Sequence, residues 1–353
     1  MVIGRIAIAA ALTLGTGVAP PPDGDSPGND RLQITHVAPI VQSAHAWLIR
    51  QQSADGSFSI VRHEGSSSAP VAVTSLAALS FMAAGHQPDR GRYGTAVRRA
   101  VSWLVDRCNE EGYFTSDNDT VSRMHGQGYA LLALTQAYGM GTGDAEQRKR
   151  MHAAIERGVA LIERTQGEIG GWFYPPKKVN AHEGSITVCM LQALRAARDI
   201  GFTVDTAVIE RARRYMAKSQ DDKTGRYRYA INDPKTSWAL TAAALSTLNA
   251  MGDYGSDALK LGFDALQQSD PFTAGIGYEA FQDYGALYAA QAYWQYQDPR
   301  PFERWWPAFV AATAERQRPD GDFYDGTYGN VYATAVVTLT LQVPFGYLPV
   351  FQR

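Results

Sequence analysis

The sequence predicts an all-α protein, a single (α/α)6 toroid of six helical hairpins arranged in two concentric layers. Three observations lead to this fold. One turn motif occurs six times along the 353 residues, an amphipathic stretch precedes each turn, and a stretch that is apolar nearly all round follows it. A helix with one apolar face packs on one side, whereas a helix that is apolar all round is buried on every side.

The repeated motif ends a helix with an aromatic residue and a Gln, and then places a second aromatic residue two positions after a glycine. Glycine permits a sharp turn because it tolerates positive φ, and the aromatic side chain can then fold back onto the helix. The fifth copy, at 263–278, is degenerate. The predicted turn glycines are Gly56, Gly112, Gly171, Gly225, Gly277 and Gly321. Consecutive members of this set are separated by 56, 59, 54, 52 and 44 residues.

The stretches between these turns alternate in character. In 95–107, for example, Val97, Ala100, Val101 and Leu104 recur at the spacing of one helix face, which predicts an outer helix. Periodicity alone does not separate a closed ring from an open helical solenoid. The predicted inner helices, rich in small apolar residues, cover 73–84, 128–137, 185–194, 237–248, 284–294 and 331–341.

The composition excludes several classes of protein. With 45% hydrophobic and 19% charged residues, the chain is neither disordered nor collagen-like. A net charge of −2 argues against nucleic acid as the main partner, because neutralising phosphates requires a basic surface. The two cysteines, Cys108 and Cys189, cannot form a disulfide framework and lack a metal-binding spacing. The sequence identifies no protein partner.

The N-terminal residues are typical of a secretory signal peptide, because Arg5 is followed by an apolar, alanine-rich run that ends in small residues. We therefore predict a signal peptide over 1–19, a Pro- and Gly-rich linker over 20–31 and the toroid over 32–353. The protein would then be exported, whereas without a functional signal it would be cytoplasmic. No segment of the mature chain reaches the ~18 apolar residues that a membrane-spanning helix needs.

The turn motif resembles the "QW" repeat of the terpenoid cyclase and protein prenyltransferase superfamily. More narrowly, 125–140 and 347–353 resemble bacterial prenyltransferase/squalene-oxidase repeat proteins. The resemblance implies the toroid, a central cavity lined by the inner helices, and an isoprenoid-like hydrophobic substrate. It rests on three repeats: Arg99, Ala100, Trp103, Leu104, Gly112 and Phe114, with Cys108 in place of Gln; Arg157, Gly158, Ile162, Gln166, Gly171 and Phe173; and Arg211, Ala212, Tyr215, Gln220, Gly225 and Tyr227.

Asp117 and Asp119 are the first candidate catalytic residues. Cyclases of this superfamily that protonate an alkene use an Asp-x-Asp-Asp motif, in which neighbouring carboxylates orient an acid of raised pKa. Asp117 and Asp119 match two of its positions, but Thr120 stands at the fourth. Both aspartates also follow a turn directly, where Asp commonly caps the next helix, and capping is the favoured interpretation.

His125, His182 and Glu183 are further catalytic candidates, and Cys189, seven residues after His182, is expected to share a helix face with it. For His125 the favoured interpretation is a polar cavity residue or a helix cap. Prenyltransferases hold zinc with Asp, Cys and His, but their Asp-x-Cys pair is absent, so we predict no metal and no cofactor. Aromatic residues on or beside the inner helices can hold an isoprenoid chain or stabilise a carbocation, and can equally fill a helical core. The predicted substrate-binding set is Tyr129, Trp238, Tyr284, Tyr288 and Tyr328.

Three functions remain open at this point. The first is an isoprenoid-handling enzyme, although one toroid is too short for a two-toroid squalene cyclase. The second is a non-catalytic binding protein for a lipid, peptide or glycan. The third is an exported carbohydrate-active toroid enzyme, for which Asp117, Asp119, Glu183, Arg123 and Asp325 supply carboxylates and a base. The first is preferred by analogy of fold, which does not itself establish function.

Overall fold

The computed structural model describes residues 29–59, 68–141, 144–274 and 281–352. Within these ranges the chain forms twelve α-helices, three 3-10 helices and no β-strand beyond isolated bridges. The α-helices are α1 (Asn29–Leu48), α2 (Pro70–Ala83), α3 (Gly94–Asp106), α4 (Arg123–Met140), α5 (Ala145–Thr165), α6 (Gly184–Asp199), α7 (Thr206–Ser219), α8 (Trp238–Ala250), α9 (Asp257–Gln268), α10 (Gln282–Gln295), α11 (Arg300–Arg316) and α12 (Asn330–Thr340).

The predicted signal peptide at 1–19 lies outside the described residues, as do residues 20–28 of the predicted linker. Helix α1 begins at Asn29, which is inside the range 20–31 that was predicted as linker. Within the described residues, no helix combines the length and the apolar character needed to cross a membrane.

The even-numbered helices form a closed inner ring. Each packs against the next, from α2 through α4, α6, α8 and α10 to α12, and α12 packs against α2. All fourteen residues of α2 are buried, as expected for a helix with neighbours on every side. All six predicted inner helices are confirmed, with small differences at their ends. The contact between α12 and α2 also shows that the helices form a closed ring and not an open solenoid, a choice that the periodicity of the sequence left open.

The odd-numbered helices form an outer layer on this ring. Each of the helices α3, α5, α7, α9 and α11 packs on the inner helix that precedes it in the chain, and α1 packs on α12. In α3 the predicted apolar face, which contains Val97, Val101 and Leu104, is buried, whereas Asp106 is exposed. Because α1 also contacts α11, the first and last outer helices meet and complete the layer.

Four of the predicted turn glycines adopt positive φ, between 75° and 99°: Gly56, Gly112, Gly225 and Gly321. The fifth copy, Gly277, lies outside the described residues. In the third repeat the prediction is wrong by one residue. Gly170 has φ 99°, and the buried aromatic two positions later is Trp172. Gly171 is needed for a different reason, because a Cβ there would lie 2.9 Å from the ring of Tyr215.

Each of these positive-φ turn glycines lies directly against the next outer helix. A Cβ at Gly112 would be 2.1 Å from the carbonyl oxygen of Arg157 in α5, so no side chain fits at this turn. The last turn makes the same contact with the first helix, because a Cβ at Gly321 would be 2.5 Å from the carbonyl oxygen of Ser43 in α1. The turns therefore join the outer layer from hairpin to hairpin and across the point of closure.

The Gln that precedes each turn holds this contact in place. The Nε2 group of Gln166 donates to the carbonyl oxygens of Gly170 and Val208, both at 2.9 Å. Gln317 does the same for Gly321 at 2.9 Å and for Ile40 of α1 at 3.0 Å. Equivalent pairs of hydrogen bonds are made by Gln52 and Gln220. One side-chain amide thus bridges a turn and the neighbouring hairpin.

The second repeat makes this bridge with a different residue. Cys108 stands in the Gln position, and its Sγ reaches the carbonyl oxygen of Ala154 only at 3.7 Å. Gln127 of α4 donates instead to the carbonyl oxygens of Gly112 at 3.0 Å and Gly158 at 3.3 Å. Its Oε1 also accepts from the backbone N–H of Phe114 at 3.0 Å. A threonine accepts the equivalent N–H in the other described repeats, namely Thr74, Thr187, Thr241 and Thr334.

The C-terminal segment closes the end of the ring at which the inner helices end. A 3-10 helix over Pro349–Phe351 packs at the C-terminal ends of the inner helices, where Leu348, Val350 and Phe351 are buried. The Val350 N–H donates to Oε1 of Gln136 near the end of α4, at 3.2 Å. The ring is therefore sealed at this end by residues of its own chain.

We expect the residues at 108 and 127 to be energetically coupled. Replacing Gln127 by Thr keeps the acceptor for Phe114 but leaves the buried carbonyl of Gly112 without a donor, which should lower the free energy of unfolding by about 1–3 kcal/mol. Adding Cys108→Gln should restore most of this loss, because the new amide can bridge as Gln166 does. Urea unfolding of the two single variants and the double variant measures the coupling. Additive effects of the two substitutions would contradict the proposed exchange of roles.

We also expect His45 to make the protein sensitive to acid. Its Nε2 lies 3.0 Å from Oγ of Ser80, and burial, with a smaller effect of nearby His86, lowers its pKa from 6.5 to about 3. Below pH 6.5 the unfolded chain takes up a proton that the folded chain does not. The free energy of unfolding therefore falls by about 1.4 kcal/mol per pH unit for this group until the pH approaches its folded-state pKa.

Replacing His45 by Gln should remove that contribution and flatten the loss of stability between pH 6.5 and 4.5, as measured by urea unfolding at a series of pH values. His36, an exposed histidine of the same helix, provides the control substitution His36→Gln. An equal flattening in both variants would exclude His45 as the cause.

Candidate ligand cavity

A cavity of about 460 Å³ lies at the N-terminal ends of the inner helices. All six of these helices, or the residues just before them, contribute to its wall. Aliphatic parts come from Ala72 and Val73 of α2 and from Ala239 and Leu240 of α8. Its lining is therefore largely apolar, with one polar region described below.

Tyrosines form the largest part of the wall. The predicted residues Tyr129, Tyr284 and Tyr328 all line the cavity. Tyr332 of α12 lies beside Tyr328, with 5.1 Å between their ring centroids. Tyr332 and two further tyrosines were outside the predicted set, and the latter two have a signal in the sequence, because each follows the buried aromatic residue of its turn by two positions. These two are Tyr174, after Trp172, and Tyr229, after Tyr227.

Trp238 and Tyr288, also predicted to bind substrate, are not among the described residues that line the cavity. Trp238 is fully buried and its ring lies against Gly285 of α10, where a Cβ would be only 2.4 Å away. Tyr288 lies one helical turn below Tyr284 and is also fully buried. Its hydroxyl donates to Oε1 of Gln192 at 3.3 Å, so it belongs to the layer beneath the cavity floor.

The polar part of the wall is a chain of three side chains. Ser185 donates from Oγ to Oε2 of Glu183 at 2.6 Å, and Nε2 of His125 lies 3.0 Å from the same Oγ. All three residues line the cavity. With Glu183 ionised, the single hydroxyl hydrogen of Ser185 is used by the carboxylate, so His125 donates its Nε2–H to Ser185. Glu183 and Ser185 begin α6, whereas His125 comes from the first turn of α4.

Burial controls the ionisation of this chain. It raises the pKa of Glu183, although hydrogen bonds from Ser185 and the Ile186 N–H oppose the shift. It lowers the pKa of His125 to about 4, so the imidazole is neutral at neutral pH. It also raises the pKa values of Tyr129 and Tyr284 well above 10, so their phenols stay protonated. Among these groups, the carboxyl group of Glu183 is the acid whose proton burial helps to retain.

Asp119 acts as a backbone cap. Its Oδ1 accepts from the Ser122 N–H at 2.8 Å before α4, and its Oδ2 accepts from the Val71 N–H at 3.1 Å in the first turn of α2. The carboxylate thus joins the beginnings of two inner helices. Asp117 is exposed, and neither aspartate is among the described residues that line the cavity. These contacts match the capping interpretation.

His182 faces away from the cavity. Its Nδ1 lies 3.0 Å from the hydroxyl of Tyr215 on the outer helix α7. Because α6 begins at Gly184, His182 precedes the helix and does not share a helix face with buried Cys189. Across the described part of the chain, no group of three His, Cys, Asp or Glu side chains lies close enough together to hold a metal ion.

The cavity mouth has two strained residues. Arg123 and Phe281, each at the start of an inner helix, have φ values of 46° and 63°, a region that non-glycine residues rarely occupy. The guanidinium of Arg123 lies 5.7 Å from the centroid of the Tyr174 ring. Phe281 and Val121 are 44% and 40% exposed, which gives the mouth an apolar rim. Strain of this kind often occurs at ligand sites.

No protein-family model and no curated protein matches the sequence. Solved structures do match the fold. The type II terpene cyclase MstE from Scytonema superposes with a TM-score of 0.60 at 14% identity, over 89% of this chain and 99% of that one. A variant of it in complex with its substrate, geranylgeranyl dihydroxybenzoate, also gives 0.60 at 14% identity, over 90% and 100%. A glycosidase variant in complex with glucose gives 0.58 at 15% identity, over 91% and 100%.

These neighbours differ in activity and share the architecture, so the likeness establishes the toroidal fold of this chain and nothing further.

Proposed function

We propose that the protein binds a hydrophobic, isoprenoid-type molecule in the cavity at the N-terminal ends of its inner helices. The observation that carries this proposal is the cavity itself, about 460 Å³ in volume and walled mainly by tyrosine and aliphatic side chains. Apolar walls favour an apolar ligand, because its transfer from water gains about 25 cal/mol per Å² of buried surface. Pockets of this volume with a few convergent polar groups are typical ligand sites.

The volume suggests the size of the ligand. An engineered apolar cavity of ~150 Å³ holds one benzene ring. A cavity about three times larger accommodates on the order of 15 to 20 carbon atoms, which corresponds to a farnesyl or geranylgeranyl chain. The tyrosine faces supply the electron-rich surface that packs against alkenes and stabilises cationic centres.

We further propose that Glu183 acts as the proton donor in an acid-initiated reaction on the bound chain, in place of Asp117 and Asp119. Glu183 lines the cavity, and burial raises the pKa of its carboxyl group, which favours the protonated form that a proton donor needs. Ser185 and His125 form a hydrogen-bonded path to its carboxyl group, along which the proton can be replaced. Both oxygens of Asp119 are already bound to backbone N–H groups of α2 and of Ser122.

A carbohydrate-active function has less support. Glycosidases use two carboxyl groups on either side of the scissile bond, about 5–10 Å apart. Among the described residues that line this cavity, Glu183 is the single carboxylic acid. The non-catalytic binding alternative shares the cavity with our proposal and differs in the absence of turnover.

We expect binding to depend on the free volume of the cavity. Replacing Ala72 by Phe places a ring inside the apolar wall and should weaken binding of farnesol or geranylgeraniol at least about tenfold, because the ligand loses the space it fills. Native mass spectrometry of the purified protein with each alcohol measures the bound fraction.

The matched control is Ala207→Phe, which adds the same ring at an exposed position of α7. Its binding should equal that of the unmodified protein. Failure of the unmodified protein to bind either alcohol, or equal binding by the Ala72 variant, would contradict the proposed cavity.

For catalysis, we expect Glu183→Gln to abolish any conversion of the bound chain while leaving binding intact, because Gln keeps the shape and the capping acceptor but has no acidic proton. Products extracted after incubation with geranylgeraniol are compared by gas chromatography and mass spectrometry. Asp117→Asn should retain turnover. Turnover that survives in the Glu183 variant would exclude Glu183 as the acid, and its absence from the unmodified protein would favour the binding-only alternative.

A further inference from the structure

The charge around the cavity indicates which end group a ligand can carry. Among the described residues that line the wall there is one carboxyl group, Glu183, one imidazole, His125, and no Lys or Arg. Burial lowers the pKa of His125 to about 4, so it carries no positive charge at neutral pH. An anionic ligand would thus lose its hydration without meeting a cation in the wall, which is costly.

The helix N-termini supply only part of the missing positive potential, because three of the six are capped by side chains of the chain itself. Six inner helices point their N-termini toward this end of the ring, and such ends ordinarily attract anions. At three of them a side-chain oxygen atom of the chain already accepts from a first-turn N–H group. Glu183 caps α6, Asp119 accepts from α2, and Ser237 accepts from the Leu240 N–H of α8 at 3.1 Å. A second anion would meet carboxylates and used donors.

A fourth end, that of α10, has no side-chain cap and carries a paired carboxylate in its first turn. Asp283 in the first turn of α10 is 8% exposed and accepts both guanidinium nitrogens of Arg316, at 2.8 and 3.0 Å. Arg123, a basic residue at the mouth, is exposed and lies over the Tyr174 ring rather than in the wall. Its charge is screened by solvent.

We infer that the ligand of this cavity is uncharged, and that its polar end is a hydroxyl group. This inference rests on the proposed function. A hydroxyl both donates and accepts, and so complements a wall that offers the Glu183 carboxyl, the Ser185 hydroxyl and the His125 imidazole within one hydrogen-bonded chain. A diphosphate or carboxylate accepts only, and it would face Glu183 across a tyrosine-lined space. The ligand class is therefore a neutral isoprenoid alcohol.

The test compares three probes that share one C15 chain: farnesol, farnesyl diphosphate and farnesoic acid. Native mass spectrometry at pH 7.5 measures how much of each probe binds to the full-length protein when the three compete for it. We expect farnesol to bind at least about tenfold more tightly than either anion, because neither anion finds a cation in the wall. In Glu183→Gln, which replaces the ionisable carboxyl group by a neutral amide of the same shape, farnesyl diphosphate should gain affinity several-fold, and the ratio of farnesol affinity to diphosphate affinity should narrow.

Asp117→Asn is the matched control. It removes one negative charge from an exposed position outside the cavity lining, so the ratio should stay as in the unmodified protein. Equal or tighter binding of farnesyl diphosphate, or an unchanged ratio in the Glu183 variant, would overturn the inference while leaving the binding function in place. Absence of binding by all three probes would overturn the proposed function and the inference with it.

Discussion

The toroid depends on a contact between a turn glycine and the backbone of the next outer helix, held by one side-chain amide. At Gly170 no Cβ fits beside the carbonyl oxygen of Arg211, and Gln166 binds the Gly170 carbonyl and that of Val208 together. Each such bridge fixes the position of one hairpin on the next. Because Gln317 makes it to Ile40, the last hairpin is fixed to the first, and the ring closes without a partner chain.

Ring closure also determines where polar groups are needed. The inner helices are parallel, so their unpaired N–H groups converge around one end of the axis, and each N-terminus requires acceptors. Glu183 and Asp119 meet this need as caps on α6 and α2. The carboxylates nearest the cavity are therefore there first for structural reasons. What distinguishes Glu183 is that its carboxyl group also lines the cavity and contacts Ser185.

The fold was predictable because its signal is repeated in the sequence, whereas the site was predictable only in part. The periodicity of the turns and the two helix types gave all twelve helices in the described residues, but the pair Gly170–Gly171 cannot be resolved by pattern, since both are glycines. Tyr129, Glu183 and His125 were identified as single residues. The chain through Ser185 joins helices 60 residues apart, so no local pattern shows it. Trp238 was predicted to bind substrate but does not line the cavity, because Gly285 has no side chain and leaves room for the Trp238 ring inside the wall.

Ring closure also leaves the carboxyl group of Glu183 in the cavity lining with little access to solvent. A carboxyl group that is 8% exposed loses most of its hydration, and two hydrogen bonds, from Ser185 and Ile186, only partly replace it. Ser would be a better residue for a purely structural cap. At the start of α8, Ser237 accepts from the Leu240 N–H in the first turn without introducing a buried charge. Retaining Glu at this position is therefore unfavourable for stability alone. The position of this ionisable group in the cavity lining supports the proposal that a molecule bound there uses its proton or its charge.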